Sequence, residues 1–277
     1  MMKRIRLGAV AYLNARPLTY GLEAADLFDL RFDPPSKCAE LLHADEIDVG
    51  MIPSIEYNRG PALSRSNGPA YRIVPGIGII SEGDVASVAL FAHKPLSQVR
   101  TIAADTSSRT SNGLLRILCA ERFGIEPEFR PMAPQPERMF QECDAALIIG
   151  DPALYLDPAA HGVEKIDLGR EWTSMTGLPF VWAFWAGRPD VLTPEAVGAL
   201  AEARDRGVKA SDRIAAEYCG AERADLGQAY LRENIYYHLR EREEAGLRRY
   251  YELAAKHGVI ERAHEVKAYS AVEQTRS

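Results

Sequence analysis

Apolar residues along this chain follow two spacings, one typical of strands and one typical of helices. Short apolar or alternating runs predict strands at residues 4–10, 30–32, 47–52, 71–81, 87–93, 101–104, 128–130, 145–149 and 179–186. Helical patterns lie between several of these runs, at residues 17–25, 36–44, 112–119 and 136–142. From residue 194 onward the chain is predicted to be almost wholly helical, with Leu231, Ile235 and Leu239 on one core-facing stripe.

This alternation of strands and helices predicts an α/β protein with mainly parallel sheets that carry helices on both faces. The last helices have no sheet of their own, so they are expected to pack on the first half of the chain. We therefore predict two lobes, one formed by residues 1–90 plus 187–277 and the other by residues 91–186. Crossings near residues 88–92 and 181–186 would leave a ligand cleft between the lobes.

Composition narrows the class of protein. Of the 277 residues, 47% are hydrophobic and 26% are charged, as in ordinary soluble domains. The net charge of −6 argues against a nucleic-acid partner, because such proteins carry a basic surface. The first residues lack the apolar core of a signal peptide, and no apolar run is long enough to cross a membrane. We therefore expect a cytoplasmic protein without a membrane partner.

Cysteine and histidine spacing does not predict a metal centre. The six histidines are scattered, and the cysteines form no Cys-x-x-Cys pair. We expect reduced thiols, no metal ion and no cofactor. The cysteines are Cys38, Cys119, Cys143 and Cys219.

The most informative segment is the loop at residues 105–111, which reads Asp-Thr-Ser-Ser-Arg-Thr-Ser between a strand and an amphipathic helix. The first turn of a helix carries unpaired N–H groups and a partial positive charge, so this loop predicts a site for a small anion. A simpler interpretation is that Thr106 or Ser107 only caps the helix. Arg109 would contact the anion or fix the loop through an ion pair with Asp105 or Asp151.

Five segments in this order resemble the chorismate dehydratase family of the futalosine route to menaquinone. They are residues 11–18, 48–57, 105–111, 149–154 and 176–181, and the resemblance runs from about residue 5 to about residue 260. It implies the two-lobed fold of periplasmic binding proteins (type II) in a cytoplasmic enzyme. The implied reaction removes water from chorismate and gives 3-[(1-carboxyvinyl)oxy]benzoate.

The resemblance also implies roles for individual residues, each with an alternative. Asn14 would hold a carboxylate or the departing hydroxyl, or else cap the following helix. Ser87 would face the cleft or be only a strand-end hydroxyl, and Asp151 would be the general base or a helix cap. In another hypothesis, the substrate's own enolpyruvyl carboxylate takes the proton. The residues expected in catalysis are Asn14, Ser87 and Asp151, and those expected to bind substrate are Arg16, Ser54, Thr106, Ser107, Ser108, Arg109, Thr110, Ser111 and Gly150.

Other functions fit parts of the pattern less well. A solute-binding protein for transport would share the cleft but should carry an export signal or a lipid-anchor cysteine. The sister enzyme dihydroxynaphthoate synthase has a Ser-Pro-Cys-Pro-Asn-Asp-like segment where this chain has residues 12–17. A transcription-factor effector domain would need an attached DNA-binding segment. We therefore expect chorismate as the small-molecule partner of a monomer or homodimer, with Trp172, Phe180, Trp182 and Trp185 mainly in the core.

Overall fold

The computed structural model describes residues 4–59 and 71–270, which form two mixed sheets. The larger sheet has the order β2-β1-β3-β11-β4, with β5 paired to β11, and its strands are β1 (Ile5–Val10), β2 (Phe28–Asp33), β3 (Val49–Pro53), β4 (Arg72–Ile73), β5 (Ile79–Ser81) and β11 (Phe180–Gly187). The smaller sheet has the order β10-β6-β9-β7-β8, and its strands are β6 (Val88–Ala92), β7 (Thr101–Asp105), β8 (Glu128–Met132), β9 (Ala145–Ile149) and β10 (Glu164–Asp167).

Helices cover both sheets and supply most of the C-terminal third. They are α1 (Arg16–Thr19), α2 (Pro35–His43), α3 (Glu56–Arg59), α4 (Thr110–Leu118), α5 (Pro136–Glu142), α6 (Asp151–Tyr155), α7 (Pro158–His161), α8 (Leu168–Thr176), α9 (Pro194–Lys209), α10 (Ser211–Cys219), α11 (Ala224–Ala229) and α12 (Glu241–Lys256). Short 3-10 turns occur at Leu13–Ala15, Leu22–Ala24 and Leu96–Gln98, and π turns at Cys119–Phe123 and Tyr230–Asn234. Within the described ranges, no helix combines the length and apolar character needed to span a membrane.

The expectation of mainly parallel sheets is wrong. Strand β1 is parallel to β2 and β3, and β7 is parallel to β8 and β9. In contrast, β11 is antiparallel to β3, β4 and β5, and β6 is antiparallel to β9 and β10. Strands β6 and β11 are those by which the chain enters a sheet from the other lobe. They start at the edge that faces the cleft, whereas the parallel strands end there.

Sheet membership places one crossing differently from the predicted lobe boundaries. Strand β11 belongs to the larger sheet although residues 91–186 were assigned to the second lobe. The chain therefore returns to the first lobe before Phe180, and the whole apolar run of β11 completes the larger sheet. The first crossing precedes Val88, where β6 of the smaller sheet begins.

Three predicted elements are broken by local backbone geometry. The helix predicted at residues 17–25 ends after α1, and Gly21 has a left-handed φ of 78°. The strand predicted at residues 71–81 is split into β4 and β5 by a turn in which Gly76 has a φ of 71°. The helical stripe through Ile235 is also wrong, because Ile235 is extended and Tyr236 forms an antiparallel bridge with Ile80 of the larger sheet.

The principal hydrophobic core extends through both lobes. Helix α12 packs against β11 and α4, so the C-terminal helices bridge the two sheets. An aromatic cluster lies at this junction, where Trp172 and Tyr250 contact the ring of Phe180 edge-on. Trp172, Phe180 and Trp185 are fully buried, as predicted for most of the tryptophan-rich segment.

Candidate functional site

A partly open cavity lies between the two sheets. It is found at the carboxyl ends of β1, β3 and β9, beside β11 and at the first turn of α4. Its lining residues are Val10, Tyr12, Asn14, Pro35, Pro53, Ile79, Val85, Val88, Ser108, Thr110, Ser111, Ile149, Gly150, Trp182 and Ala183. Ligands of open α/β folds bind at this kind of position.

Three of the predicted hydroxyl residues line the cavity, namely Ser108, Thr110 and Ser111. The Thr110 side-chain oxygen accepts a hydrogen bond from the Ile55 backbone N–H at 3.2 Å, so it ties the loop to the first lobe. For the hydroxyls of Ser108 and Ser111, no protein partner is found among residues 4–59 and 71–270. They and the unpaired N–H groups of the first turn of α4 are the donors available to an anion.

The remaining residues of this loop have structural roles. Thr106 is exposed, and the Ser107 hydroxyl donates to the Asp105 carboxylate at 2.6 Å. The alternative in which Thr106 or Ser107 only caps α4 is wrong, because Arg109 occupies the N-cap position without a side-chain capping bond. Burial raises the pKa of Asp105, and the two hydrogen bonds from Ser107 lower it by less.

No arginine, lysine, histidine, aspartate or glutamate lines the cavity in the described part of the chain. Arg109 pairs with Glu40 at 3.0 Å instead of the expected Asp105 or Asp151. Arg16 lies in a different surface depression, where its guanidinium stacks over the Phe32 ring at 4.3 Å. A negatively charged ligand in this cavity would therefore meet neutral donors and the partial charge of α4.

Asn14 lies in the 3-10 turn after β1 and faces the cavity. Its side-chain oxygen is buried and has no hydrogen-bond partner within the described residues. A buried acceptor without a donor costs free energy until a ligand supplies one. Asn14 is therefore the strongest candidate for a contact to a hydroxyl group of the ligand.

Two other predicted residues, Ser87 and Ser54, do not line the cavity. Ser87 is 1% exposed, and its hydroxyl lies 2.6 Å from the Tyr230 hydroxyl. The Ser54 hydroxyl donates to the Val181 carbonyl at 2.7 Å and so joins the start of α3 to β11. Both serines lie behind the walls of the cavity.

Asp151 joins the lobes at the edge of the cavity. Its carboxylate accepts hydrogen bonds from the Leu13 backbone N–H at 3.2 Å and from the Tyr218 hydroxyl at 2.5 Å. Burial raises the pKa of Asp151, while these hydrogen bonds and the charge of Arg16 lower it by less. The carboxylate thus links the start of α6 to the turn after β1 and to α10, and it does not line the cavity.

Gly150, also predicted as a site residue, lets two walls of the cavity meet. Its φ of 68° and ψ of −150° belong to a region that only glycine adopts readily. A Cβ atom there would lie 2.8 Å from the Tyr12 ring. Close contact between this backbone and the Tyr12 ring therefore requires glycine at position 150.

Sequence reasoning missed Tyr12 as a cavity residue and favoured the core for most of the four aromatic residues that include Trp182. Tyr12 lies in the segment at residues 11–18, from which Asn14 and Arg16 were predicted as site residues. Its place beside them in the sequence was a signal that it also lies at the cavity. Trp182 donates to the Ser81 hydroxyl at 3.0 Å and keeps its ring at the cavity wall. No group of three or more histidine, cysteine or acidic side chains suited to a metal occurs in the described residues.

Comparisons with known sequences agree with the resemblance seen in the segments. A family model described as menaquinone biosynthesis matches residues 5–256. The chorismate dehydratase of Thermus thermophilus is 30% identical over 273 residues, covering 91% of this chain and 95% of the relative. A chorismate dehydratase of Campylobacter jejuni is 28% identical over 245 residues, covering 86% and 88%.

Solved structures confirm the predicted periplasmic-binding-protein fold. A protein from Archaeoglobus fulgidus has a TM-score of 0.72 at 21% identity, with 93% of this chain and 98% of that chain covered. The alkanesulfonate-binding protein SsuA from Xanthomonas axonopodis has a TM-score of 0.63 at 15% identity, with 93% and 94% covered. A Candida albicans protein described as having the generic periplasmic binding protein fold has a TM-score of 0.65 at 11% identity, with 95% and 92% covered.

Proposed function

Since the chain belongs to the chorismate dehydratase family of menaquinone biosynthesis, we propose that it eliminates water from chorismate to give 3-[(1-carboxyvinyl)oxy]benzoate. The ring hydrogen on the ether-bearing carbon leaves as a proton, and the neighbouring hydroxyl leaves with its bonding electrons. The electrons of the broken C–H bond complete the aromatic ring, and proton and hydroxide together form the water released. Aromatisation supplies the driving force, so the protein has to bind, orient and manage proton transfer.

The cavity matches the two kinds of surface that chorismate presents. One carboxylate is held by the hydroxyls of Ser108 and Ser111 and the N–H groups of the first turn of α4. The apolar ring lies against Ile79, Val88 and Trp182 on the opposite walls. Each contact to the carboxylate is a charge-assisted hydrogen bond, which compensates for the absence of a cation among the described lining residues.

Asn14 holds the hydroxyl group that leaves. Its unpartnered side-chain oxygen accepts the hydroxyl hydrogen of bound chorismate, which orients the C–O bond for elimination. The observation that carries this proposal is the combination of this buried acceptor with the hydroxyl-rich start of α4 in one cavity.

The proton acceptor is the enolpyruvyl carboxylate of the substrate itself. General-base catalysis needs a group within about 3 Å of the proton, and no titratable acid or histidine lines the cavity in the described residues. The enolpyruvyl carboxylate reaches the ring hydrogen through a six-membered arrangement that includes the ether oxygen. Asp151 is already engaged by Leu13 and Tyr218, which supports a role in holding the lobes.

The test is incubation of the purified chain with chorismate in a buffer that contains a chelator, followed by mass spectrometry and ultraviolet absorbance. Enzyme-dependent loss of one water without loss of pyruvate is the expected result. The variant Asn14→Ala should lose turnover and still bind chorismate. Ser111→Ala should raise KM by about tenfold or more, because a hydrogen bond to a charged group contributes about 1.5–3 kcal/mol.

A matched serine variant separates site effects from general effects. Ser211 is buried in α10, and its hydroxyl donates to the Val208 carbonyl at 2.8 Å, away from the cavity. Ser211→Ala should therefore keep the KM and kcat of the unmodified protein. Recovery of intact chorismate after long incubation would contradict the proposal. It would favour a solute-binding protein if chorismate binds, or the sister dihydroxynaphthoate synthase if a different substrate reacts.

A further inference from the structure

The connection that leads into the smaller sheet has an unusual backbone at Ala86. Ala86 has a φ of 60°, in the region that favours glycine. The Ser87 N–H donates to the Val85 carbonyl at 2.7 Å, so these three residues form the rare kind of γ-turn whose central residue has a positive φ. Holding a residue other than glycine in this conformation costs free energy, so the surrounding structure must stabilise the turn.

Two charged side chains of β10 hold this turn from opposite sides. The Asp167 carboxylate accepts the Ala86 N–H at 2.7 Å and the Val85 N–H at 3.0 Å. The Lys165 ammonium donates to the Ala86 carbonyl at 2.6 Å and to the Ala153 carbonyl of α6 at 3.2 Å. Because Lys165 and Asp167 are two residues apart in one strand, they lie on the same face of it. A negative group thus meets the N–H of Ala86 and a positive group meets its carbonyl.

The turn sets one wall of the cavity. Val85 begins the turn and Val88 follows it, and both residues line the cavity. The Ser87 carbonyl accepts the N–H of Gly150, another lining residue, at 2.7 Å. Displacement of the turn would therefore shift the apolar wall against which the chorismate ring lies in the proposed function. The carboxylate donors at the start of α4 belong to a different element and would keep their positions.

We propose that Asp167 and Lys165 are positioning residues for the dehydration, which hold the turn at Ala86 and so fix the apolar wall of the cavity. With this wall in place, the ring of chorismate is oriented towards the Asn14 side-chain oxygen. The inference rests on the proposed function and adds two residues that do not themselves line the cavity. Misplacement of a reacting group by about 1 Å is enough to lower a rate by about 100-fold.

The first variant, Asp167→Asn, removes one contact and keeps the others. Carboxylate oxygen Oδ1 accepts the N–H of Val85 and two N–H groups in the first turn of α8, whereas Oδ2 accepts the N–H of Ala86. Asparagine keeps an oxygen for the first three and presents an amide nitrogen, which cannot accept, to Ala86. Since asparagine is also a good helix cap, α8 should remain formed. We expect kcat to fall by about 10- to 100-fold and KM to change by less than about fivefold.

Asp144→Asn is the matched control in the same sheet. The Asp144 carboxylate also accepts two backbone N–H groups, from Arg100 at 2.9 Å and from Thr101 at 3.2 Å, and it also pairs with a lysine, Lys94. It does not line the cavity. Asp144→Asn should lower the Tm at neutral pH and leave kcat and KM unchanged. Thermal unfolding of both variants therefore separates a loss of rate from a loss of stability.

A substitution in the turn itself distinguishes positioning from a general loss of packing. Glycine adopts a positive φ without strain, so Ala86→Gly should preserve the turn with fewer contacts to hold it. In the Asp167→Asn background, Ala86→Gly should raise kcat by about fivefold or more. Alone, it should leave kcat unchanged. No recovery of kcat in the double variant would show that Asp167 does not act through this turn.

Lys165→Met keeps the proposal testable if Asp167→Asn does not fold. Methionine is similar in length but cannot donate to the Ala86 carbonyl, so this variant should also lower kcat more than it raises KM. A folded Asp167→Asn or Lys165→Met enzyme as fast as Asp144→Asn would overturn the assignment of that residue. Absence of turnover in the unmodified protein would instead overturn the proposed function and this inference with it.

Discussion

At the scale of single residues, charge recognition in this cavity depends on neutral groups. Arg109 is occupied by Glu40, and Arg16 is stacked on Phe32, so neither guanidinium is available inside the cavity. A hydrogen bond from a neutral donor to a carboxylate contributes about 1.5–3 kcal/mol, and a helix N-terminus contributes about 0.3–1 kcal/mol to an anion. Affinity for a carboxylate must therefore be shared among several donors around Ser108 and Ser111 rather than concentrated in one ion pair.

Asp151 gives a residue-scale prediction about pH. Its pKa is raised above the ordinary value of 3.8, so the folded protein binds this proton more tightly than the unfolded chain does. The stability that Asp151 contributes is therefore greatest below about pH 3.8 and falls as the pH rises through the higher pKa of the folded state. Asp151→Asn does not titrate, so the difference in Tm between the unmodified protein and this variant should fall from pH 3.5 to neutrality in thermal unfolding at about half-unit steps.

Asp144 supplies a control of opposite sign for this measurement. Its pKa is lowered from 3.8 to about 2, chiefly by the hydrogen bond from Lys94. The stability that Asp144 contributes is present above pH 3.8 and is lost as the pH falls towards 2. The Tm of the unmodified protein minus that of Asp144→Asn should therefore rise with pH. A difference for Asp151 that stays constant or rises with pH would show that its carboxylate is not destabilised by burial.

At the scale of elements, glycines set how closely helices approach their neighbours. In α9, a Cβ atom at Gly207 would lie 1.9 Å from the Pro17 carbonyl oxygen of α1. Gly198 lies in the same helix, and nothing is within 4 Å of the Cβ position there. The two glycines therefore share a helical context and differ in whether space exists for a methyl group.

This pair gives an element-scale prediction about stability. Gly198→Ala should stabilise the protein by about 0.5–1 kcal/mol, because alanine loses less backbone entropy in a helix. Gly207→Ala should destabilise it by about 1–3 kcal/mol, since α1 and α9 must move apart. Urea unfolding of both variants measures the free energies. Equal shifts in the same direction would mean that the contact between α1 and α9 adjusts without cost.

Helices and strands were predicted well where the local apolar pattern agrees with the backbone conformation. They were predicted less well where contacts distant in the sequence determine the conformation. Residues 136–142 and 145–149 match α5 and β9, because proline and a continuous apolar run mark their bounds. The helix predicted through residues 235–239 is not formed, since a bridge to Ile80 in the larger sheet overrides the helical spacing. In the site, residue types were predictable from the loop at 105–111, but the orientation of each hydroxyl depends on partners distant in the sequence, such as Ile55 for Thr110.

At the scale of the whole molecule, the lobes are held around the cavity by the Asp151 carboxylate, the Arg109–Glu40 ion pair and the packing of α12, together with neutral hydrogen bonds. Ser36 N–H donates to the Ser107 carbonyl at 3.2 Å, and Ile55 N–H donates to the Thr110 hydroxyl oxygen at 3.2 Å. Each contributes about 1 kcal/mol net. A ligand that contacts both lobes adds to these interactions and shifts the population towards this arrangement.

The corresponding prediction is that chorismate compacts the molecule. Small-angle X-ray scattering should give a smaller radius of gyration with saturating chorismate than without it. Thr110→Val removes the acceptor of Ile55, so the ligand-free protein should expand relative to the unmodified chain. Thr19→Val is the matched control, because the Thr19 hydroxyl donates to the Arg16 carbonyl within the first lobe, and its scattering should be unchanged. An identical radius with and without chorismate would mean that substrate enters through an arrangement of lobes that is already closed, and loop motion at the cavity mouth would then have to admit it.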